Sequence, residues 1–495
     1  MNLQGFCHIP KSNYAYAYTD KDLDIRLRTA KDDCTAVRVI ISQKHRWRDK
    51  KAYRMEKVAS DRLFDYYQYR FHTEDSRLGY YFEVSDGTKT LVYSESGFTD
   101  TFDDQNAYFH YFQYPYINET DLHRIPDWVH SAIFYQIFVE RFCNGDHTND
   151  PVPLTPWGQP PKPQSFYGGD LQGVLEKLPY LQELGVNGIY LTPIFQSPSN
   201  HKYDTTDYRK VDEMFGSKEL LCTLVQQAHK VGIRVVLDGV FNHSCWSFAP
   251  FQDVLEHGEQ SPYKDWFHID SFPVGRFTEE EAHDYTKPLD LSRLNYRAFG
   301  TSPSMPKLNT ENPELEAYLL GTVSMWTKDT GIDGWRLDVS DEVNHGFWRD
   351  FRKTVKAINP EALIIGENWH NAYPWLQGDQ FDGVMNYPFT KSAIQYFAIR
   401  EKEAVDLAAD LSEYLMWNSK QVSVSMLNLL DSHDTVRFLT WCDGDERRLK
   451  MALMLMFTYI GMPGIYYGTE IGMTGNGDPD CRRTFDWERS RWNMD

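Results

Sequence analysis

Cysteine is scarce and badly spaced for a disulfide framework: seven residues in 495, an odd number, with no C-x-x-C pair. That excludes a disulfide scaffold and a cysteine-rich zinc module, and it fits reduced thiols in a cytoplasmic protein. No apolar run reaches the roughly 20 residues that cross a bilayer. The opening MNLQGFCHIPKSNYAYAYTDKD also lacks a basic segment followed by an apolar core and cleavage site. A soluble, unexported protein with no membrane partner is expected. Positive charge is short as well. Lys and Arg total 51 against 71 Asp and Glu, a formal net charge of −20, which repels phosphate backbones and argues against nucleic acid as a partner.

Apolar and aromatic residues are plentiful, at 41% and 15% of the chain. That content supplies at least one large core, and the length implies two or three domains. Sugar sites use flat rings, but aromatic-rich cores account for most such residues. Residues 1–125 contain alternating segments such as DIRLRT, VRVIIS and YYFEV-SDGT-KTLVY, the last with a turn signal between two strand-like halves. They read as a small antiparallel β domain. An aromatic connector, YFHYFQYPY, then leads through Ile125-Pro126-Asp127-Trp128 into a second domain, 126–495, where helices and strands alternate.

Several helix-like segments there end in glycine, at Gly185, Gly232, Gly331 and Gly461, which suits the left-handed helix-terminating position. Eight strands are expected near 133–138, 188–192, 234–240, 333–338, 363–367, 382–386, 425–430 and 464–467. Eight strands separated by helices indicate a (β/α)8 TIM barrel. A doubly wound open sheet has the same periodicity, and the count of eight favours the barrel. The long segment 241–310 after the third strand implies an inserted lobe beside the active-site face.

Catalysis on barrels collects at the C-terminal strand ends. Asp238, Asp338, Glu367 and Asp434 all fall there. An isolated acid is usually a solvated or salt-bridged residue, but four in register point to a site. Glycoside hydrolysis needs one carboxylate as nucleophile or base and one carboxylic acid to protonate the leaving oxygen. Arg336, two residues before Asp338, shares its face and is expected to keep that carboxylate ionised. Glu367 has no cation adjacent in sequence, which suits the acid. His243 and His433 adjoin these motifs and can donate hydrogen bonds to sugar hydroxyls, although a lone histidine is more often structural.

The set DGVFNH (238–243), GWRLDVSDEV (334–343), GENWH (366–370) and LLDSHDT (429–435) resembles the four regions of the α-amylase family of glycoside hydrolases. The likeness runs from about Ala132 to Arg483. It implies a retaining hydrolase with Asp338 as nucleophile, Glu367 as general acid/base and Asp434 as the third carboxylate, gripping sugar hydroxyls with Arg336, His243 and His433. The segment HKYDTTDY also matches. Tyr203 is then expected to stack on the sugar beside the scissile bond with Asp204 nearby, while Asp238 belongs to the subsite or serves as a structural partner of Arg336.

MPKLN (305–309) and the N-terminal β domain, which resembles a starch-binding β-sandwich, are similar to cyclomaltodextrinases, neopullulanases and maltogenic amylases. The resemblance implies hydrolysis of α-1,4-glucosidic bonds in cyclodextrins, pullulan and short maltooligosaccharides, with transglycosylation as a side reaction. Trp369 would contribute to substrate recognition, and a homodimer would form through the N-terminal domain. An exo-acting α-glucosidase or a transglycosylase is the alternative within the family; a catalytically silent glucan-binding protein is the alternative outside it. No organic cofactor is expected. Asn144, Asp146, Asn149, Asp150, Gly168 and Asp170 offer hard oxygen ligands and align with a structural calcium site of that subgroup. After GTEIGM and CRRTFDWERSRWNMD the sequence stops where relatives continue into an eighth barrel helix and a C-terminal β domain. The apolar flank of strands eight and one is therefore expected to lack its cover.

Overall fold

The structure is a computed structural model that describes residues 1–283, 290–488 and Trp492. Residues 284–289 of the expected inserted lobe, and 489–491 and 493–495 of the final segment, lie outside the described residues.

The N-terminal part consists of two antiparallel sheets packed face to face. One pairs Ala15–Ala17, Asp22–Ala30, Phe64–His72 and Glu56–Ser60; the other is built on Ala36–Gln43 and Leu78–Ser85. Strand periodicity explains the sandwich, because successive side chains face opposite ways. Leu23, Ile25 and Leu27 point inward with Val37, Val39 and Ile41 and with Tyr80, Phe82 and Val84. The intervening Arg26 instead reaches the second part of the chain, where its Nη1 donates to Asn418 O at 2.7 Å. The SDGT turn joins Leu78–Ser85 to Thr90–Ser94 as an antiparallel hairpin.

Eight parallel strands form the second part: β1 (Phe134–Ile137), β2 (Gly188–Leu191), β3 (Arg234–Val240), β4 (Gly334–Asp338), β5 (Leu363–Gly366), β6 (Gly383–Val384), β7 (Leu427–Leu429) and β8 (Met462–Tyr466). They pair in the order β6-β5-β4-β3-β2-β1-β8-β7. A parallel bridge between Met385 and Leu427, with Asn386 N–H donating to Leu427 O, joins β6 to β7 and closes the sheet into a barrel. Alternation along each strand divides the apolar residues between two cores. Tyr190, Val236, Leu363 and Ile365 fill the barrel interior, whereas Ile189, Val235, Trp335 and Ile364 pack outward against the helices. The same alternation turns Arg336 and Asp338 inward on β4.

Two expected features differ. No α-helix separates β5 from β6 among the described residues; only a 3-10 turn, Tyr373–Trp375, lies there, because the short connection carries Pro374 and Gly378. Gly185 and Gly331 do cap helices in the left-handed conformation, and Gly232 has φ 80°. Gly461, however, lies beyond the end of helix Glu446–Thr458 at φ 126°. A side chain there would collide with Asn428 and the Met426 carbonyl, so close backbone approach explains that glycine.

The flank of β8 and β1 also differs from expectation. Phe485 is fully buried, and Trp487 stacks edge-on to Phe142 at 5.0 Å and to Tyr180 at 5.2 Å. The Trp487 indole N–H donates to Phe142 O at 2.6 Å. An irregular aromatic segment thus covers part of the surface that a helix was expected to cover.

Candidate active site

A pocket of about 530 Å³ opens at the C-terminal rim of the barrel. Asp338, Glu367 and Asp434 all line it, with Tyr203, His243, His433 and Trp369. Asp338 ends β4 and Glu367 follows β5, strands paired in parallel with Leu337 opposite Gly366. Adjacent strand ends therefore bring together two acids that are 29 positions apart in sequence.

Arg336 lies beneath them, fully buried. Its Nη1 donates to Asp338 Oδ1 at 2.9 Å and to both oxygens of Asp238 at 3.1 Å. Its Nη2 stands 3.0 Å from Glu367 Oε2, a charge contact without hydrogen-bond alignment. Glu367 Oε2 also accepts the Val339 N–H at 2.9 Å. Glu367 has no cation adjacent in sequence, yet the fold sets the Arg336 guanidinium beside it. Sequence adjacency missed a contact that barrel curvature makes.

The expected effect of Arg336 on Asp338 is corrected. One guanidinium faces three buried carboxylates, so it does not neutralise the cluster. Burial, then the charge of Glu367, holds the Asp338 carboxyl well above the ordinary carboxylate range, with Arg336 opposing. Asp238 is pushed up to about 6 by burial, against the pull of Arg336 and of hydrogen bonds from Tyr190 and Tyr203. Asp238 and Arg336 do not line the pocket; they form its floor and support the acids that do.

His433 is fixed on both sides. The Gln136 amide meets Nδ1 at 2.7 Å and Tyr203 Oη meets Nε2 at 2.6 Å, while Tyr203 donates to Asp238 Oδ2 at 2.8 Å. A consistent proton arrangement has Nε2–H facing Tyr203 and Asp434 Oδ2, the latter at 3.1 Å. Burial and the nearby Arg482 keep this ring neutral. Burial also lowers His243 to about 3. Its Nε2 is buried without a partner, a polar group available to a sugar hydroxyl. Trp369 is 43% exposed and stacks on Tyr387 with centroids 3.7 Å apart, which makes a flat apolar rim.

Asp204, expected in the substrate site beside Tyr203, lies behind the pocket surface. Its Oδ1 accepts from Ser197 Oγ at 2.6 Å and from Ser199 Oγ. Sequence reasoning missed Arg482, whose Nη2 contacts Asp434 Oδ1 at 3.2 Å and whose Nε donates to His433 O at 2.8 Å. It follows β8, and no spacing rule links it to the other motifs. Phe299 of the inserted segment was also missed and stacks on His243 at 4.9 Å, while Met305, noted only as part of the MPKLN motif, lines the pocket as well.

Away from the pocket, the expected calcium residues do gather. Asn144 Oδ1 and Asn149 Oδ1 are buried with no hydrogen-bond partner, while the Asn144 amide donates to Asp150 Oδ1 at 2.6 Å. A side chain at Gly168 would collide with Asp150 and Asn144, so the backbone must approach closely there. Asp170 accepts N–H bonds from Gly145, Asp146 and Gly173 and caps helix Leu171–Glu176. Asp146 accepts from Thr148. Unsatisfied buried oxygens beside carboxylates fit a hard cation.

A closed parallel barrel with paired carboxylates at the C-terminal rim defines the class of barrel glycosidases. Residues 136–492 match the alpha amylase catalytic domain, and residues 1–118 match the alpha amylase N-terminal ig-like domain. The chain belongs to the α-amylase family of glycoside hydrolases. It is 46% identical to cyclomaltodextrinase of Geobacillus thermopakistaniensis, across 100% of this chain and 82% of that protein. It is 45% identical to neopullulanase 2 of Thermoactinomyces vulgaris, again across 100% and 82%. A solved cyclomaltodextrinase structure superposes with a TM-score of 0.94 at 45% identity, covering 100% of this chain and 82% of that one. No helix among the described residues is long and apolar enough to cross a membrane.

Proposed function

We propose that the chain is a retaining hydrolase of α-1,4-glucosidic bonds in cyclodextrins, pullulan and short maltooligosaccharides. The carrying observation is that one guanidinium, Arg336, contacts both Asp338 and Glu367 at the pocket floor. Retaining pairs stand about 5–5.5 Å apart and inverting pairs about 6.5–9.5 Å, the latter leaving room for a water. Two carboxylates met by the two terminal nitrogens of one guanidinium suit the closer class.

The hydrogen bonds also support a division of labour. Asp338 Oδ1 is held by Arg336, which leaves Oδ2 to attack the anomeric carbon. Glu367 Oε2 is held by Val339 and Arg336, which leaves Oε1 to give its proton to the leaving oxygen. The glycosidic C–O bond breaks, an ester to Asp338 forms, and the released sugar departs as an alcohol. Glu367 then takes a proton from water, the resulting hydroxyl attacks the same carbon, and Asp338 leaves as carboxylate. Another sugar in place of water gives transglycosylation.

The names cyclomaltodextrinase and neopullulanase borne by the relatives support the substrate class. Product analysis on β-cyclodextrin, pullulan, starch and maltotriose tests it. Ring opening of β-cyclodextrin is the expected result; glucose release from chain ends without ring opening would shift the assignment to an exo-acting α-glucosidase.

Calcium is proposed as a structural ion held by the 144–150 loop with Gly168 and Asp170; the orphaned Asn144 and Asn149 oxygens support it. A homodimer through the N-terminal domain is proposed from Tyr108 and Phe109, which are 60% and 65% exposed on that domain. Sedimentation velocity should give a dimer that a Tyr108→Ser/Phe109→Ser variant dissociates, and a monomeric parent would refute it. Reduced thiols support a cytoplasmic protein, with all seven cysteines free; recovery from the secreted fraction would contradict that location.

A further inference from the structure

We infer that Asp204, Cys245 and His283 form a binding site for a zinc-like transition-metal ion, which ties the inserted lobe to the pocket wall. Their ligand atoms lie within 4.8 Å of one another, and Cys245 Sγ is 3.9 Å from Asp204 Oδ2. Thiolate, imidazole and carboxylate are the donors a divalent zinc-type ion takes, and three of them leave a fourth position for water.

Each donor is oriented from behind, as metal ligands commonly are. Ser197 and Ser199 hold the other oxygen of Asp204, leaving Oδ2 toward the cluster. His283 Nδ1 meets the Glu279 carbonyl at 2.8 Å. That contact requires the proton on Nδ1 and leaves a lone pair on Nε2. Nε2 is itself buried and has no hydrogen-bond partner. Cys245 is fully buried and receives the Ser247 N–H at 3.5 Å; burial and then the Asp204 charge push its thiol up to about 12, with the Ser247 bond opposing, so the ion itself must displace the proton. Binding replaces the Cys245 S–H bond by a sulfur–metal bond and releases one proton to solvent.

The placement gives the site a purpose. Asp204 follows Tyr203, and Cys245 is two residues after His243, both pocket residues. His283 ends a short helix, Glu279–His283, in the inserted segment. An ion shared among the three would fix that segment against the loops carrying Tyr203 and His243.

Cobalt(II) is the direct probe, added to the full chain after removal of bound metals and in the presence of calcium. One equivalent should produce a thiolate-to-cobalt charge-transfer band in the near ultraviolet together with visible bands of a four-coordinate ion. Cys245→Ser should abolish the charge-transfer band, and Zn(II) should displace cobalt. His283→Ala, on the lobe surface and the safer variant for folding, should weaken Zn(II) binding by more than about tenfold, since outer-shell changes alone reach that size. Far-ultraviolet circular dichroism confirms the fold of each variant. The inference fails if no charge-transfer band forms, if the band survives in Cys245→Ser, or if His283→Ala binds Zn(II) as the parent does.

Discussion

Val339 donates its N–H to Glu367 Oε2 at 2.9 Å from a backbone at φ 43° and ψ 44°. A β-branched residue in that left-handed region is strained by about 1–2 kcal/mol. The turn is held open directly after Asp338, and it fixes the neighbouring acid. Replacement should expose the strain. Val339→Ala keeps a Cβ and Val339→Gly does not, and both lose the branched side chain. The glycine variant is therefore expected to be the more stable of the two by about 1 kcal/mol in urea unfolding. Equal or reversed stabilities would remove the argument for strain.

Asp338→Asn and Glu367→Gln should each lower turnover by several orders of magnitude with the barrel still folded. A substrate with an activated leaving group separates their roles. With α-maltosyl fluoride, Glu367→Gln should accumulate a glycosyl ester on Asp338 that intact-protein mass spectrometry detects. Asp338→Asn should accumulate none. An ester on any other residue would overturn the assignment.

Asp338 must be ionised to attack, and its carboxyl is held above the ordinary value of about 3.9. The acidic limb of kcat/KM is therefore expected above that value. The sign for stability runs the opposite way from a salt-bridged acid. A carboxyl whose pKa is raised in the folded state contributes stability that is fully present below the unfolded value and is lost as pH rises through the folded one. At neutral pH the buried charge is a net cost. Asp338→Asn should consequently be more stable than the parent at pH 7, and the gap should shrink as pH falls toward 4. A variant less stable at pH 7 would contradict the burial argument.

Calcium should raise the melting temperature. An ion present at about 100 times its Kd adds about 2.7 kcal/mol to the folded state. Asn149→Ala removes one of the two orphaned buried oxygens and should blunt that rise, measured by calorimetry with calcium added to chelator-treated protein. A melting temperature indifferent to calcium would dispose of the site.

Strand alternation and helix-ending glycines made the barrel strands legible in sequence, because the side-chain period is local. Closure was not legible. It depends on the Met385–Leu427 bridge, a pairing that no window of sequence contains. The aromatic cover from Phe485 and Trp487 was equally hidden, since those rings meet Phe142 and Tyr180 only after the chain has gone round the barrel.

The sequence by itself determined the chemistry on offer: acids at strand ends, an arginine two residues before one of them, histidines beside others, and four motifs that resemble one family. Those are properties of short segments with fixed geometry. Only the tertiary structure decided which groups share a charge environment. It set Arg336 against Glu367 as well as Asp338, withdrew Asp204 and Asp238 from the pocket surface, and brought Arg482 to Asp434. Electrostatic interaction falls with distance in space, and strand pairing, not sequence separation, sets that distance.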